Sequence, residues 1–138
     1  MRVMASAAVA AALLTFAAAD SAIAQQGPAG RWQCQHANRT VSNNAFENWI
    51  YEFALALNTN GTFQAQGNYN AQTNGFAVGF YAEGRWAQQQ GAIVAQGQEQ
   101  RQDGSGGQFY LLFSNVSDRE MSNQYESANG RLLTYCQR

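Results

Sequence analysis

The 138-residue sequence contains no lysine, a single histidine and a single proline. Without lysine, the basic residues are eight arginines that lie scattered along the chain, and the net charge is −1. Neutralisation of phosphates dominates the affinity of proteins for nucleic acids, so a chain without a basic cluster is not expected to bind them. The sequence also lacks a basic amphipathic helix of the kind that binds membrane surfaces.

The single histidine also limits which metal sites and catalytic sites the chain can form. His36 follows Cys34 by two residues, and two cysteines with one histidine fall short of the four ligands of a closed zinc site. Nucleophilic catalysis needs a base held beside the nucleophile, and no second candidate base of this kind is available. The carboxylates beyond residue 24 show no distinctive grouping; they are Glu47, Glu52, Glu83, Glu99, Asp103, Asp118, Glu120 and Glu126. The sequence therefore predicts a protein that is not an enzyme and that holds no metal ion or cofactor.

The first 24 residues have the order of a secretory signal peptide. Arg2 precedes an apolar run, and Ala22, Ile23 and Ala24 provide small residues at a cleavage site. The apolar run is shorter than the roughly 20 residues that a transmembrane helix needs. We therefore expect a signal peptide over residues 1–24, one domain over residues 25–138, no transmembrane segment after cleavage, and a periplasmic or secreted location.

Export determines how the two cysteines are interpreted. Cys34 and Cys136 lie near the two ends of the mature domain. An even number of cysteines in an oxidising compartment indicates a disulfide. We expect a Cys34–Cys136 bridge.

Apolar residues alternate with polar residues through much of the domain, which predicts β-strands with one buried face. A type I turn with a bulge at Gly61 would place Leu57 opposite Phe63 and Tyr51 opposite Tyr69, and this keeps both apolar sets on one face. A loop over residues 72–75 similarly places Phe80 opposite Gly67.

About eight strands follow from this pattern, with turns or flexible loops over residues 103–107 and 114–118. The predicted strands cover residues 30–36, 49–57, 63–69, 76–86, 92–100, 109–113, 120–126 and 131–137. Short links favour an all-β, up-and-down antiparallel meander, and closure into a small barrel would remove exposed edges. An eight-stranded barrel can be filled by its own side chains or can hold one small ligand.

Five aromatic residues on the inward face are candidate ligand-binding residues: Tyr51, Phe53, Tyr69, Phe80 and Trp86. They could line a cavity for a small apolar or amphipathic molecule, with hydroxyl groups to orient it. The alternative is that they simply fill a small core. Residues 38–48 form the candidate lid of a ligand site.

The tripeptide Gly30-Arg31-Trp32 resembles the G-x-W start of the lipocalins and the wider calycin group of small β-barrels. That resemblance implies that Trp32 closes the barrel floor and that an arginine late in the barrel, for which Arg131 is the nearest candidate, packs against it. It also implies a disulfide that ties a terminal segment to the barrel, as Cys34 and Cys136 would.

A second resemblance is to bacterial periplasmic inhibitors of C-type lysozyme, which have an early Cys, an S-G-x-x-Y loop and a late Cys. The loop over residues 103–110 would then contact a hydrolase partner through Ser105, Gly106, Gly107, Gln108 and Tyr110. The glutamine-rich segments favour a third alternative, an extracellular structural or matrix protein. The sequence leaves the oligomeric state open.

Overall fold

The computed structural model describes residues 27–40, 48–71, 77–128 and 130–138, which form one nine-stranded antiparallel sheet in the order β6-β5-β4-β3-β2-β1-β9-β8-β7. The strands are β1 Gly30–Thr40, β2 Trp49–Leu57, β3 Thr62–Ala71, β4 Val78–Gln89, β5 Ala92–Arg101, β6 Gly106–Phe113, β7 Asn115–Val116, β8 Glu120–Ser127 and β9 Gly130–Gln137. In these four ranges no helix is long and apolar enough to cross a membrane.

The curl of the sheet follows from which strands pair. β9 pairs with β1, so the last strand of the meander returns to the first. β6 pairs with β5 and β7 pairs with β8, and only Ser114 separates β6 from β7. The two edges of the sheet therefore meet at one bent segment, and the sheet is strongly curled and barrel-like.

The structure corrects one feature of the predicted barrel and leaves a second unconfirmed. Residues 114–118 were predicted as a turn, but Asn115–Val116 form the short ninth strand β7. Within the described residues no ladder of backbone hydrogen bonds joins β6 to β8, so the fully closed barrel is not confirmed. The physical reason is the bend at Ser114, which directs the chain away from β5 and towards β8.

The predicted register of β2, β3 and β4 is confirmed. Tyr51 lies opposite Tyr69, Leu57 lies opposite Phe63, and Gly67 lies opposite Phe80. The turn between β2 and β3 closes through a hydrogen bond from the Gly61 amide to the Asn58 carbonyl of 3.1 Å. Gly61 has a φ of 86°, the left-handed conformation that favours glycine at this position.

Packed phenylalanines fill the middle of the interior. Gly67 lies between Phe53 on β2 and Phe80 on β4, whose ring centroids are 5.7 Å apart. A Cβ atom at Gly67 would overlap the backbone of Glu52 and Phe53, so only glycine permits this close approach. Phe109 from β6 contacts both rings, at 5.9 and 5.8 Å. Packed side chains therefore fill this middle layer of the interior.

The disulfide expected between Cys34 and Cys136 is confirmed. The two residues lie directly opposite each other on β1 and β9, with their Cα atoms 4.1 Å apart. Both are buried in the core. The bridge therefore joins the first and last strands of the sheet at the point where they pair.

One end of the sheet, which we call the lower end, contains the β2–β3 and β4–β5 turns and both ends of the described domain. Trp32 is buried there, and its indole donates a hydrogen bond to the Pro28 carbonyl (2.8 Å). The guanidinium carbon of Arg138 lies 4.1 Å from the centre of the Trp32 ring, and Arg138 also donates to the carbonyls of Ala29 and Gly27.

The arginine predicted to pack against Trp32 was therefore misassigned. Arg131 lies on the outer face of β9 in an exposed ion pair with Glu126 (2.8 Å), and Arg138 takes the place beside Trp32. Arg131 cannot pack against Trp32, because it faces outward and lies opposite Arg39, at the other end of β1 from Trp32.

Several predicted features lie outside the described residues. These are the signal peptide over residues 1–24, most of the candidate lid at residues 41–47, and the loop at residues 72–75.

Candidate functional site

At the opposite, upper end of the sheet, a buried carboxylate interrupts the apolar interior. Glu99 on β5 is 6% exposed and faces inward, opposite Gly107 on β6. The hydroxyl group of Tyr51 donates to both oxygens of this carboxylate, at 2.8 and 3.0 Å. Burial, followed by the hydrogen bond to Glu99, raises the pKa of Tyr51 well above its ordinary value. The phenol is therefore a permanent donor to Glu99.

Arg101 completes this cluster from the last position of β5. Its Nη2 donates to the Tyr51 hydroxyl (2.8 Å) and to Glu99 Oε1 (3.1 Å). The guanidinium carbon lies 3.8 Å from the centre of the Tyr69 ring, a cation–π contact. The buried Nε–H has no hydrogen-bond partner among the described residues. Charge is thus balanced within the pair, while part of the donor capacity of Arg101 remains unused.

Beside this cluster, His36 on β1 connects β9 to the aromatic residues of β2. Its Nδ1 lies 2.8 Å from the Thr134 hydroxyl oxygen, and its ring centroid is 5.0 Å from that of Trp49. Trp49 in turn contacts Tyr51 edge-on at 5.3 Å. Burial lowers the pKa of His36 to about 4, and a backbone hydrogen bond with Leu133 acts in the opposite direction. The ring is therefore neutral at physiological pH.

A pH dependence of stability follows from the burial of His36. Because the folded-state pKa is about 4 and the ordinary value is 6.5, the unfolded chain binds more protons between these values. The contribution of neutral His36 to stability is therefore fully present above pH 6.5, and it is lost as the pH falls from 6.5 towards about 4. We expect the free energy of unfolding to be about 2 kcal/mol lower at a pH of about 5 than at neutral pH. Urea unfolding across this pH range measures the effect.

The matched control is His36→Gln, which retains a polar group but cannot titrate. This variant should lose most of the pH dependence over the window. An unchanged slope in His36→Gln would show that other groups cause it.

Of the five predicted ligand-binding aromatics, the structure brings four together. Tyr51 contacts Tyr69 and Phe80, at 4.8 and 4.9 Å between ring centroids, and Phe53 packs beneath them. Trp86 lies at the lower end instead, where its indole donates to the Asn58 carbonyl (2.8 Å). Tyr69 is half-buried at the upper end, whereas the other three are buried.

The segment predicted as an inhibitory loop is mostly strand. Residues 102–105 form a tight turn in which the Asp103 carboxylate accepts from the Ser105 amide (2.9 Å). Gly106, Gly107, Gln108 and Tyr110 belong to β6 and pair with β5. The prediction of a flexible loop over residues 103–107 is therefore wrong from Gly106 onwards, because backbone pairing with β5 orders these glycines.

Sequence reasoning missed Glu99, Arg101 and Trp49 as site residues. Glu99 was counted among ungrouped carboxylates, but it is buried and paired with Arg101. The only local signal was the position of both residues on one face of β5, two residues apart. Trp49 shares its inward face with Tyr51 and could have been found from the alternation of β2.

Comparison with known proteins gives one structural similarity. No family model matches the chain, and no curated protein matches it. Among solved structures, the chain is similar to a de novo designed, fluorescence-activating beta barrel. The similarity has 13% sequence identity and a TM-score of 0.47, and it covers 83% of this chain and 96% of that chain.

Proposed function

We propose that this chain is an exported binding protein that holds a small amphipathic molecule at the upper end of its curled sheet. The observation that carries the proposal is the Tyr51–Glu99–Arg101 cluster, in which an ion pair lies inside a largely apolar interior. A buried ion pair contributes little to stability compared with apolar packing, so its presence suggests another use.

The exposure of these residues indicates which ones a guest would touch. Tyr51 and Glu99 are each 6% exposed, whereas the side chain of Arg101 is 20% exposed and Trp49 and Tyr69 are half-buried. A guest would therefore contact Trp49, Tyr69 and Arg101, while Tyr51 and Glu99 hold the guanidinium in position. The phenylalanines packed beneath would limit the guest to a small molecule.

The charge of the site favours a neutral guest. Because Glu99 already neutralises Arg101, a charged head group would leave an uncompensated charge in a partly buried site. Among the described residues, the one contact of Arg101 Nη1 is a long hydrogen bond of 3.4 Å to the Ser105 hydroxyl, so this nitrogen can donate to a hydroxyl or carbonyl oxygen of a guest. The preferred guest has a flat apolar body and one such oxygen.

The remaining parts of the proposal concern location and chemistry. The Cys34–Cys136 disulfide supports an oxidising compartment, and we assign the protein to the periplasm or the extracellular space. We assign it a binding rather than a catalytic role, because the only histidine is buried against Thr134 and its pKa is lowered to about 4, which makes it a weak general base.

The proposal is tested with small aromatic probes and tryptophan fluorescence. Coumarin and 2-naphthol each have a flat aromatic body with a polar group, a lactone in coumarin and a hydroxyl in 2-naphthol, and naphthalene provides the body alone. We expect the first two to quench Trp49 on binding and to bind at least about tenfold more tightly than naphthalene, which corresponds to one hydrogen bond to a charged donor.

Two tryptophan variants provide a matched pair. Trp49 and Trp86 are both half-buried against the core but lie at opposite ends of the sheet. Trp49→Leu should abolish binding measured by calorimetry, and Trp86→Leu should preserve it. Equal loss in both variants, or no binding of any probe to the parent protein, would contradict the proposal. Inhibition of a lysozyme panel by the parent protein would instead support the inhibitor alternative.

A further inference from the structure

The outer face of the sheet contains a groove that has no part in the proposed inner site. It has a volume of about 740 Å³ and is lined by residues of β1, β2, β8 and β9. Its floor is Ala37 on β1, which lies opposite Ile50 on β2 and opposite Leu133 on β9. A small residue between two larger apolar residues produces the depression. The volume falls in the range of about 300–1,000 Å³ that is typical of sites for small organic ligands.

An arginine pair borders this apolar floor. Arg39 on β1 lies directly opposite Arg131 on β9. This pair occupies the outward-facing position next to the Ala37–Leu133 pair. Like charges directly opposite each other destabilise a sheet. Glu126 neutralises Arg131 through its 2.8 Å ion pair, but Arg39 has no ion-pair partner among the described residues. Among the described residues, one positive charge beside the groove is therefore left without a counterion.

We propose that this groove binds a free single-chain amphiphile with an anionic head group. The head would lie beside Arg39, the arginine of this pair that has no carboxylate partner among the described residues, and the chain would lie over Ile50, Ala37 and Leu133. An anion is required here because the excess charge is positive, in contrast to the neutral guest of the inner site. The inference is independent of the proposed function, since the two sites use opposite faces of the sheet.

Decyl phosphate, used below its micelle-forming concentration, is the probe for this site. Isothermal titration calorimetry on the disulfide-bonded protein should detect its binding, and decyl maltoside and inorganic phosphate should each bind at least about tenfold more weakly. Arg39→Gln should weaken decyl phosphate binding about tenfold. Arg31→Gln provides the matched control, because Arg31 is an exposed arginine on the same face of the same strand. It should leave the affinity unchanged.

A second pair of variants tests the apolar floor without changing any charge. Ala37→Phe should fill the groove and weaken binding by at least about tenfold. Ala54→Phe, at an exposed outward position on β2 beyond the groove, should have no effect. Phenylalanine is compatible with a strand, so Ala37→Phe and Ala54→Phe are both expected to fold.

Three outcomes would overturn the inference. The first is parent-like affinity in both Arg39→Gln and Ala37→Phe. The second is loss of decyl phosphate binding in Trp49→Leu alone, which would place the amphiphile in the inner site and leave the proposed function standing. The third is binding to anionic lipid vesicles without binding to free decyl phosphate, which would assign the groove to a membrane surface.

Discussion

Replacing Cys34 and Cys136 together by alanine is expected to lower the free energy of unfolding by about 4 kcal/mol. The bridge spans a sequence separation of 102 residues and therefore restricts the unfolded chain strongly. Without the bridge the unfolded chain has many more conformations, which favours the unfolded state. The bridge also joins β1 to β9, the pairing that returns the end of the meander to its beginning. Urea denaturation of the double variant measures the loss.

Chemical reduction provides the control for this experiment. A reductant should destabilise the parent protein by a similar amount and should leave the Cys34→Ala/Cys136→Ala variant unaffected. A loss below about 1 kcal/mol in the double variant would mean that strand pairing alone constrains the ends of the domain.

Removing the buried carboxylate should have an effect of similar size. Glu99→Leu is expected to cost about 3 kcal/mol, because the Tyr51 hydroxyl loses its acceptor and Arg101 is left as a partly buried charge without a counterion. Glu83→Leu, at an exposed position on the neighbouring strand β4, should change stability by less than about 0.5 kcal/mol. Thermal and urea unfolding of both variants compare the two positions.

The double variant Glu99→Leu/Arg101→Leu separates an unpaired charge from a loss of packing. Replacing both members of a buried pair by apolar residues is often close to neutral, so we expect the double variant to recover at least half of the loss. A double variant as unstable as Glu99→Leu would show that the carboxylate matters for its packing rather than for its charge.

The register of β2, β3 and β4 could be predicted because the relevant information is local. Alternating apolar residues give the buried face, and the turn that ends at Gly61 allows only one pairing that keeps Leu57 and Phe63 on that face. A shift by one residue would expose both apolar sets, so the alternatives can be rejected from the sequence itself.

The inner polar site could not be predicted in the same way. Residues 96–101 are polar apart from one glycine, and such a run gives no alternation from which a buried face could be inferred. Glu99 is buried because Tyr51, 48 residues earlier in the chain, provides a hydrogen bond to it. The arginine pair on the outer face could not be predicted for the same reason, because Arg39 and Arg131 are brought together only by the pairing of β1 with β9. Arginines that are scattered in the sequence become neighbours in the sheet.

The bend at Ser114 was also hidden from sequence patterns. β6 is apolar on both faces around Leu111 and Leu112, which predicts a strand but not the point at which its partner changes. The bend lies where the pairing partner of the chain changes from β5 to β8, and this change of partner exists only in the folded sheet.

Native mass spectrometry of the protein isolated from the organism that encodes it tests the central claim most directly. The claim is that Trp49, Tyr69 and Arg101 hold a small molecule at the upper end of the sheet. We predict a complex whose mass exceeds that of the oxidised mature polypeptide by one discrete small increment, which is lost on denaturation. The same increment should be present in Trp86→Leu and missing from Trp49→Leu. A bare polypeptide mass under all native conditions, or an increment retained in Trp49→Leu, would contradict the account.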